Sequence, residues 1–240
     1  MKQFLLFFAF VAVCAQPLFA QQETPPAGGP DLTLHFGIYH GGSGRSIVRQ
    51  FQDSGFGEEG TSSAFFGPEE NPVRSEGSVQ LGVLFPIRQN FRAKGLLLYR
   101  DTEVEGTAIF FEPLLLNTSV LTAAALGYLP LPSRLFRLGV GPAVHVASSK
   151  LEYGGAEQAE ENGAKVGFAL EGGFSFPANK RFYADLQAQY MFVGKTDLGS
   201  YNYTATITEN STQSKSVDLS STKLSTFTLS LGVGYRLYKM

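Results

Sequence analysis

His145 and Ser148 stand three residues apart in the stretch HVASS. An imidazole that takes the proton of a serine hydroxyl is the core of acyl-transfer chemistry. Glu152 is the acid closest in sequence, but no spacing marks it as the group that orients the imidazole. A second candidate set is ionic: Lys94, Arg137, Glu171, Asp185 and Arg236, two signs mixed within otherwise weakly charged segments. His35 and His40 lie in no cluster with metal-ligand spacing, so no metal site is predicted. GGSG (41–44) lacks the lysine and following helix of a phosphate loop. The acidic stretches EEG (58–60), PEEN (68–71) and AEQAEENG (156–163) read as solvated loop surface, with a divalent cation as the lesser alternative. No cofactor is predicted.

These residues sit in alternating segments. In RFYADLQAQYMFV (181–193), Phe182, Ala184, Leu186, Ala188, Tyr190 and Phe192 occupy every second position, with Tyr183, Asp185, Gln187, Gln189 and Met191 between them. A period of two is a β-strand with two unlike faces. The same pattern recurs in DLTLHFGIYH (31–40), SVQLGVLF (78–85), FRAKGLLLYR (91–100), LFRLGVGPAVHVA (135–147), KVGFALEGGFSF (165–176) and STFTLSLGVGYRLY (225–238). TAIFFEPLLLNTSVLTAAALGY (107–128) is read as one long strand bent near Pro113; two strands or a short helix stay open there. The sum is eight strands.

Composition narrows the class. The chain has 240 residues, 17% charged, with a formal net charge of −2. That balance argues against nucleic acid, which calls for a basic patch. Lys2, the apolar run FLLFFAFVAV (4–13), Pro17 and an ending at Ala20 read as a secretory leader over 1–20. Cys14, the sole cysteine, follows Val13 where lipidation would need a small residue, and is read as discarded with the leader. A polar lead-in covers 21–30 and a single barrel domain 31–240, with no boundary between.

Connections decide which way the strands face. Longer stretches (41–76, 101–106, 148–163, 195–222) alternate with tight turns at PIRQN (86–90), LPLPSR (129–134) and PANK (177–180). Short turns on one side and long loops on the other describe an up-and-down barrel of the outer membrane. The polar faces hold many glycines with bulky polar groups, which suits a crowded interior. The apolar faces hold Phe, Leu, Val and Tyr, which suits lipid. The predicted fold is all-β, an eight-stranded antiparallel up-and-down transmembrane β-barrel.

The chain resembles the small, porin-like outer-membrane β-barrel proteins typical of Bacteroidota. FFEPLLL (110–116), RLGVGPAVHV (137–146), GFALEGGFSF (167–176), DLQAQYMFV (185–193) and LSLGVGYRL (229–237) carry the resemblance, in order along the barrel region. It implies a closed barrel in the outer membrane and says little about activity.

An eight-stranded barrel has an interior that side chains fill. Lys94, Arg137, Glu171, Asp185 and Arg236 are therefore expected to form a paired ionic network in the periplasmic half of the lumen, with Arg137 beside Glu171 and Asp185 beside Arg236. The expected role is structural or loop-mediated. A small porin or transport channel is the alternative, and a lipid A-modifying enzyme using His145 and Ser148 the second. Expected partners are outer-membrane lipid and lipopolysaccharide, the barrel assembly machinery through the C-terminal strand, and an unidentified contact of the extracellular loops.

Overall fold

The computed structural model describes residues 29–40, 50, 73–88, 91–107, 113–129, 136–153, 156–178, 181–208 and 211–237. The leader, most of the lead-in and nearly all of the first loop lie outside the described residues. Twelve strands follow one another: β1 (Asp31–His40), β2 (Val73–Arg88), β3 (Phe91–Thr107), β4 (Pro113–Tyr128), β5 (Phe136–Tyr153), β6 (Ala156–Pro177), β7 (Phe182–Val193), β8 (Lys195–Thr196), β9 (Ser200–Thr208), β10 (Ser211–Asp218), β11 (Thr222–Lys223) and β12 (Thr226–Arg236). Eight of them close a barrel in the order β1-β12-β7-β6-β5-β4-β3-β2, with β2 returning to β1. Every neighbouring pair is antiparallel. Closure leaves no open ladder edge where the strands cross lipid.

The barrel is inside-out relative to a water-soluble one. On β7 the apolar set points outward: Phe182, Leu186, Tyr190 and Phe192 are 37–49% exposed. The polar set between them points inward, with Asp185 and Gln187 at 0%. The same phase puts Phe36, Ile38, Leu81, Phe168, Phe174, Leu231 and Val233 on the outer surface. A continuous belt of this kind is far larger than the apolar patches that soluble monomers tolerate. Its natural solvent is hydrocarbon. Interior glycines make room for large inward groups: a Cβ at Gly139 would overlap the Tyr128 ring, one at Gly173 the Arg137 guanidinium, and one at Gly234 the Tyr183 ring.

Four expectations are corrected, over 101–106, 148–163, 107–128 and 195–222. Residues 101–106 and 148–163 are mostly strand, since β3 runs to Thr107, β5 to Tyr153, and β6 starts at Ala156. Alternation of apolar residues stops where lipid stops, whereas the ladder runs on with polar side chains. Residues 156–166 of β6 pair with β5 alone, and β7 joins only at Gly167. Strands β3 to β6 thus stand as a raised wall at one end of the barrel. Segment 107–128 is not one bent strand: Thr107 ends β3 and Pro113 begins β4, directly paired with it. Proline has no N–H to give a ladder and belongs at a strand start.

The segment between β7 and β12, expected as a loop, is itself structured. It forms the hairpin β9–β10 and the two-residue pair β8–β11. Leu198 N–H donates to the Leu219 carbonyl (3.1 Å), and Leu219 N–H to the Gly199 carbonyl (2.8 Å). Gly199 takes φ = 83°, the left-handed region, and faces the Glu161 side chain where a Cβ would clash. This bend turns Leu198, Tyr201, Leu219 and Leu224 into the barrel mouth, where all are buried.

Candidate functional site: the closed lumen

The inward faces of eight strands deliver polar groups to one narrow space. Among them, Glu171 on β6 is wholly buried and is the hub. Lys94 Nζ, from β3 across the lumen, donates to both its oxygens (3.2 and 3.0 Å). Arg137 Nε on β5 donates to Oε1 (3.3 Å), and Gln189 Nε2 on β7 to Oε2 (2.7 Å). The Tyr128 hydroxyl on β4 also donates to Oε1. Four donors from four strands converge on one carboxylate.

Asp185 on β7 is the second hub. Arg137 binds it with both terminal nitrogens, Nη1 to Oδ1 at 2.7 Å and Nη2 to Oδ2. Ser175 donates to Oδ1 (3.0 Å) and itself accepts from Arg137 Nη1 (2.5 Å). His35 Nε2, 150 residues away on β1, hydrogen-bonds Oδ2 at 2.7 Å. Lys94 Nζ also reaches Gln187 Oε1 (2.8 Å), and Gln187 exchanges hydrogen bonds with Gln80 (3.0 and 3.4 Å). Two cations face two carboxylates, so this tier is neutral in sum. Buried charges persist in such a place when they are paired and their remaining lone pairs are bonded.

Lys94, Arg137, Glu171 and Asp185 are thus brought together, and Arg236 is not among them. The β12–β7 register places Asp185 opposite Gly232 and Phe182 opposite Tyr235. Arg236 therefore lies four residues, about 13 Å, nearer the rim that carries the β6–β7 turn. Its guanidinium lies 5.3 Å from the centroid of the Tyr183 ring, whose hydroxyl donates to Asp31 (3.4 Å). His35, Ser175, Tyr128, Gln80, Gln187 and Gln189 complete the network without having been singled out by charge. Their signal was the inward phase of their strands.

Above the network the wall mixes a polar band, with Arg100, Thr122, His145 and Thr226, and apolar groups that continue to the mouth. Leu98, Leu116, Val120, Ala147, Leu151, Met191 and Val193 form one buried cluster with Leu198, Tyr201, Leu219 and Leu224 of the mouth. Ser149 on the raised wall ties the cover down. Its hydroxyl donates to the Leu198 carbonyl (3.1 Å), and Tyr201 bonds both its hydroxyl and its carbonyl oxygen (3.3 Å for the latter). The lumen is therefore closed twice, by an ionic tier below and an apolar cork above.

His145 and Ser148 do not form a dyad. His145 is buried in the lumen and its Nδ1 pairs with Thr122 Oγ1 at 2.8 Å. Ser148 is three positions along the same strand and faces the other way. Glu152 lies 3.6 Å from Lys150. His40 lies at the strand end with its side chain outside the described set. Among the described residues, no group of three or more His, Cys, Asp or Glu side chains is arranged to hold a metal ion.

A closed antiparallel ladder, an apolar exterior and a side-chain-filled lumen define the class: a small eight-stranded transmembrane β-barrel. One solved structure agrees on the fold. The outer membrane protein OprG from Pseudomonas aeruginosa aligns with a TM-score of 0.50 at 12% identity, over 89% of this chain and 99% of that one. Neisserial surface protein A aligns at 0.43 and 11% identity, over 87% and 97%. Ail, the attachment invasion locus protein of Yersinia pestis, aligns at 0.43 and 11%, over 88% and 99%. No protein-family model matches the chain, and no curated protein matches it in sequence.

Proposed function

We propose that the protein is an outer-membrane barrel with a structural or loop-mediated interaction role, reaching that membrane after export with a cleaved leader. One observation carries this reading: the lumen is closed at two levels, by the Glu171–Asp185 network and by the Leu198–Tyr201–Leu219–Leu224 cork. A porin needs a continuous aqueous path, and both tiers stand across it. An acyl-transfer enzyme needs His145 and Ser148 on one face, and the strand turns them apart.

What the molecule offers to the outside is surface. The raised β3–β6 wall and the β9–β10 hairpin project on the extracellular side. Among the described residues, β9 and β10 pair only with each other, so their outer backbone edges can accept a partner strand. The lipopolysaccharide partner has support at the membrane rim. Lys195 and Lys223 sit directly opposite each other, both exposed, over the buried pair Thr196 and Thr222. They stand just beyond the lipid-facing Phe192 and Phe227. Exposed cations at the rim attract anionic headgroups. The C-terminal strand β12, which closes the barrel against β1, is the segment offered to the assembly machinery.

The test is planar-bilayer recording of the purified protein. The expected result is a silent membrane. A reproducible stepwise current would instead favour the channel.

A further inference from the structure

We infer that the upper lumen holds a small monovalent anion, such as chloride, bound to Arg100. This does not depend on the role proposed above. Arg100 on β3 is among the largest fully buried side chains, at 2% exposure. Its Nη1 donates to Thr226 Oγ1, and its guanidinium lies 5.6 Å from the centroid of the Tyr39 ring. Nε and Nη2 have no hydrogen-bond partner. Among the described residues, no carboxylate forms an ion pair with it. The tier below cannot lend a charge, because its two carboxylates already balance Lys94 and Arg137.

The groups around Arg100 are short of acceptors in the same way. Thr118 Oγ1, Thr228 Oγ1 and His145 Nε2 are buried and unpartnered. The register puts all three on this tier. Thr228 pairs with Tyr39, the residue whose ring Arg100 faces. Thr118 pairs with Thr102, the next inward residue along β3. His145 pairs with Thr122, which pairs with Leu98, the inward residue just below Arg100. When the Thr122 hydroxyl donates to His145 Nδ1, the imidazole carries its proton on Nε2 and becomes a further donor. The unpartnered acceptor nearby, Gln189 Oε1, is neutral.

Water would satisfy these donors one by one and leave the charge where it is. A buried cation without a counter-charge is among the most expensive features a protein can hold. A ring face offsets only part of that cost. An anion satisfies both needs at once, by neutralising Arg100 and accepting from the hydroxyls and the imidazole. The buried apolar cluster packs at this level through Val120, Ala147 and Met191 and closes above it through Leu116, Leu151 and Leu198, which limits the ligand to something small.

Thermal unfolding of the full-length protein in detergent tests this, with sodium chloride exchanged for sodium gluconate at constant ionic strength. A ligand that binds only the folded state raises the midpoint with its concentration. The parent midpoint is expected to climb with chloride, and to climb likewise with bromide. Arg100→Met is expected to lose that dependence and, in gluconate, to be at least as stable as the parent. If Arg100→Met does not fold, Thr228→Val takes its place, with an expected loss of apparent chloride affinity of tenfold or more. Crystals soaked in bromide should show an anomalous peak beside the Arg100 guanidinium. Equal parent midpoints in both salts, a chloride shift that survives in the tested variant, or a map with water and no bromide at Arg100 each overturns the assignment.

Discussion

Arg137 on β5 clasps Asp185 on β7 through both terminal guanidinium nitrogens, bridging over the intervening strand β6. The same side chain reaches Glu171 on β6 through Nε. One planar fork therefore ties three successive strands together inside the barrel. Lysine can carry the charge but not the fork. Arg137→Lys is expected to lose most of this bridging and to cost about 1.5–3 kcal/mol, the worth of a charge-assisted hydrogen bond. Arg137→Ala is expected to cost more, about 3–5 kcal/mol, because it leaves Asp185 a buried charge short of its cation. Urea titration of the refolded barrel in detergent measures both. Equal losses for the two variants would show that charge alone matters.

Lys94 and Glu171 invite a double-mutant cycle. Each is almost completely buried, and they meet at 3.0 Å. Glu171→Gln leaves Lys94 and Arg137 sharing one fewer carboxylate. Lys94→Met leaves Glu171 with Arg137 as its remaining cation, beside the Tyr128 and Gln189 donors. Each single change is expected to cost about 3–5 kcal/mol. The double variant is expected to cost clearly less than their sum, since it removes a neutral pair. Strict additivity would mean that the two charges do not feel each other.

The strand faces and the lumen set were legible because alternation is a local property. Asp185 and Gln187 fall between Ala184, Leu186 and Ala188, and no knowledge of other strands is needed to see it. Register is not local. Asp185 and Arg236 lie on neighbouring strands, yet the hydrogen-bond ladder sets them four positions apart, and β7 alone holds no trace of that offset. His35 reaches Asp185 across 150 residues, and only barrel closure brings β1 that close. The cork was hidden for a related reason. Leu198, Leu219 and Leu224 are isolated leucines in a polar stretch, with no period to mark them. A hairpin inserted between the first two brings them together. The raised wall was missed because its outer face no longer meets lipid, so residues such as Ser148 and Lys150 mimic a loop.

Asp218 is expected to give the β9–β10 hairpin a response to acid. Its carboxylate accepts from the Ser220 backbone N–H (2.9 Å) and from the Ser200 hydroxyl (3.0 Å), at the foot of β9–β10. Bonds from Ser220, side chain first and then backbone, and then from Ser200 hold its pKa below the ordinary 3.8. A depressed carboxyl stabilises the fold above its unfolded pKa and loses that contribution as pH falls through the folded one. The hairpin foot is therefore expected to loosen only below pH 3.8, and Asp218→Asn to remove that acid step. An NMR titration of the Asp218 carboxyl carbon with a midpoint at or above 3.8 would contradict this.

Leu186 puts the membrane assignment to direct use. It is 39% exposed on the outer face of β7, between Phe174 of β6 and Leu231 of β12, which point the same way. In lipid, an arginine there must either stay in hydrocarbon or drag water to itself, at about 2–4 kcal/mol near the midplane. Phe182 begins the same strand at the barrel rim, where the same change is expected to cost about 0–1 kcal/mol. Gln187, one residue further along β7, faces the lumen and pairs with Gln80 and Lys94. Gln187→Leu adds apolar surface and is nonetheless expected to destabilise, because it takes one acceptor from the buried Lys94 amine and strips Gln80 of its partner. The order of stability in lipid vesicles is thus parent, then Phe182→Arg, then Leu186→Arg. A Leu186→Arg barrel as stable as the parent in a bilayer would mean that water, not lipid, surrounds that face.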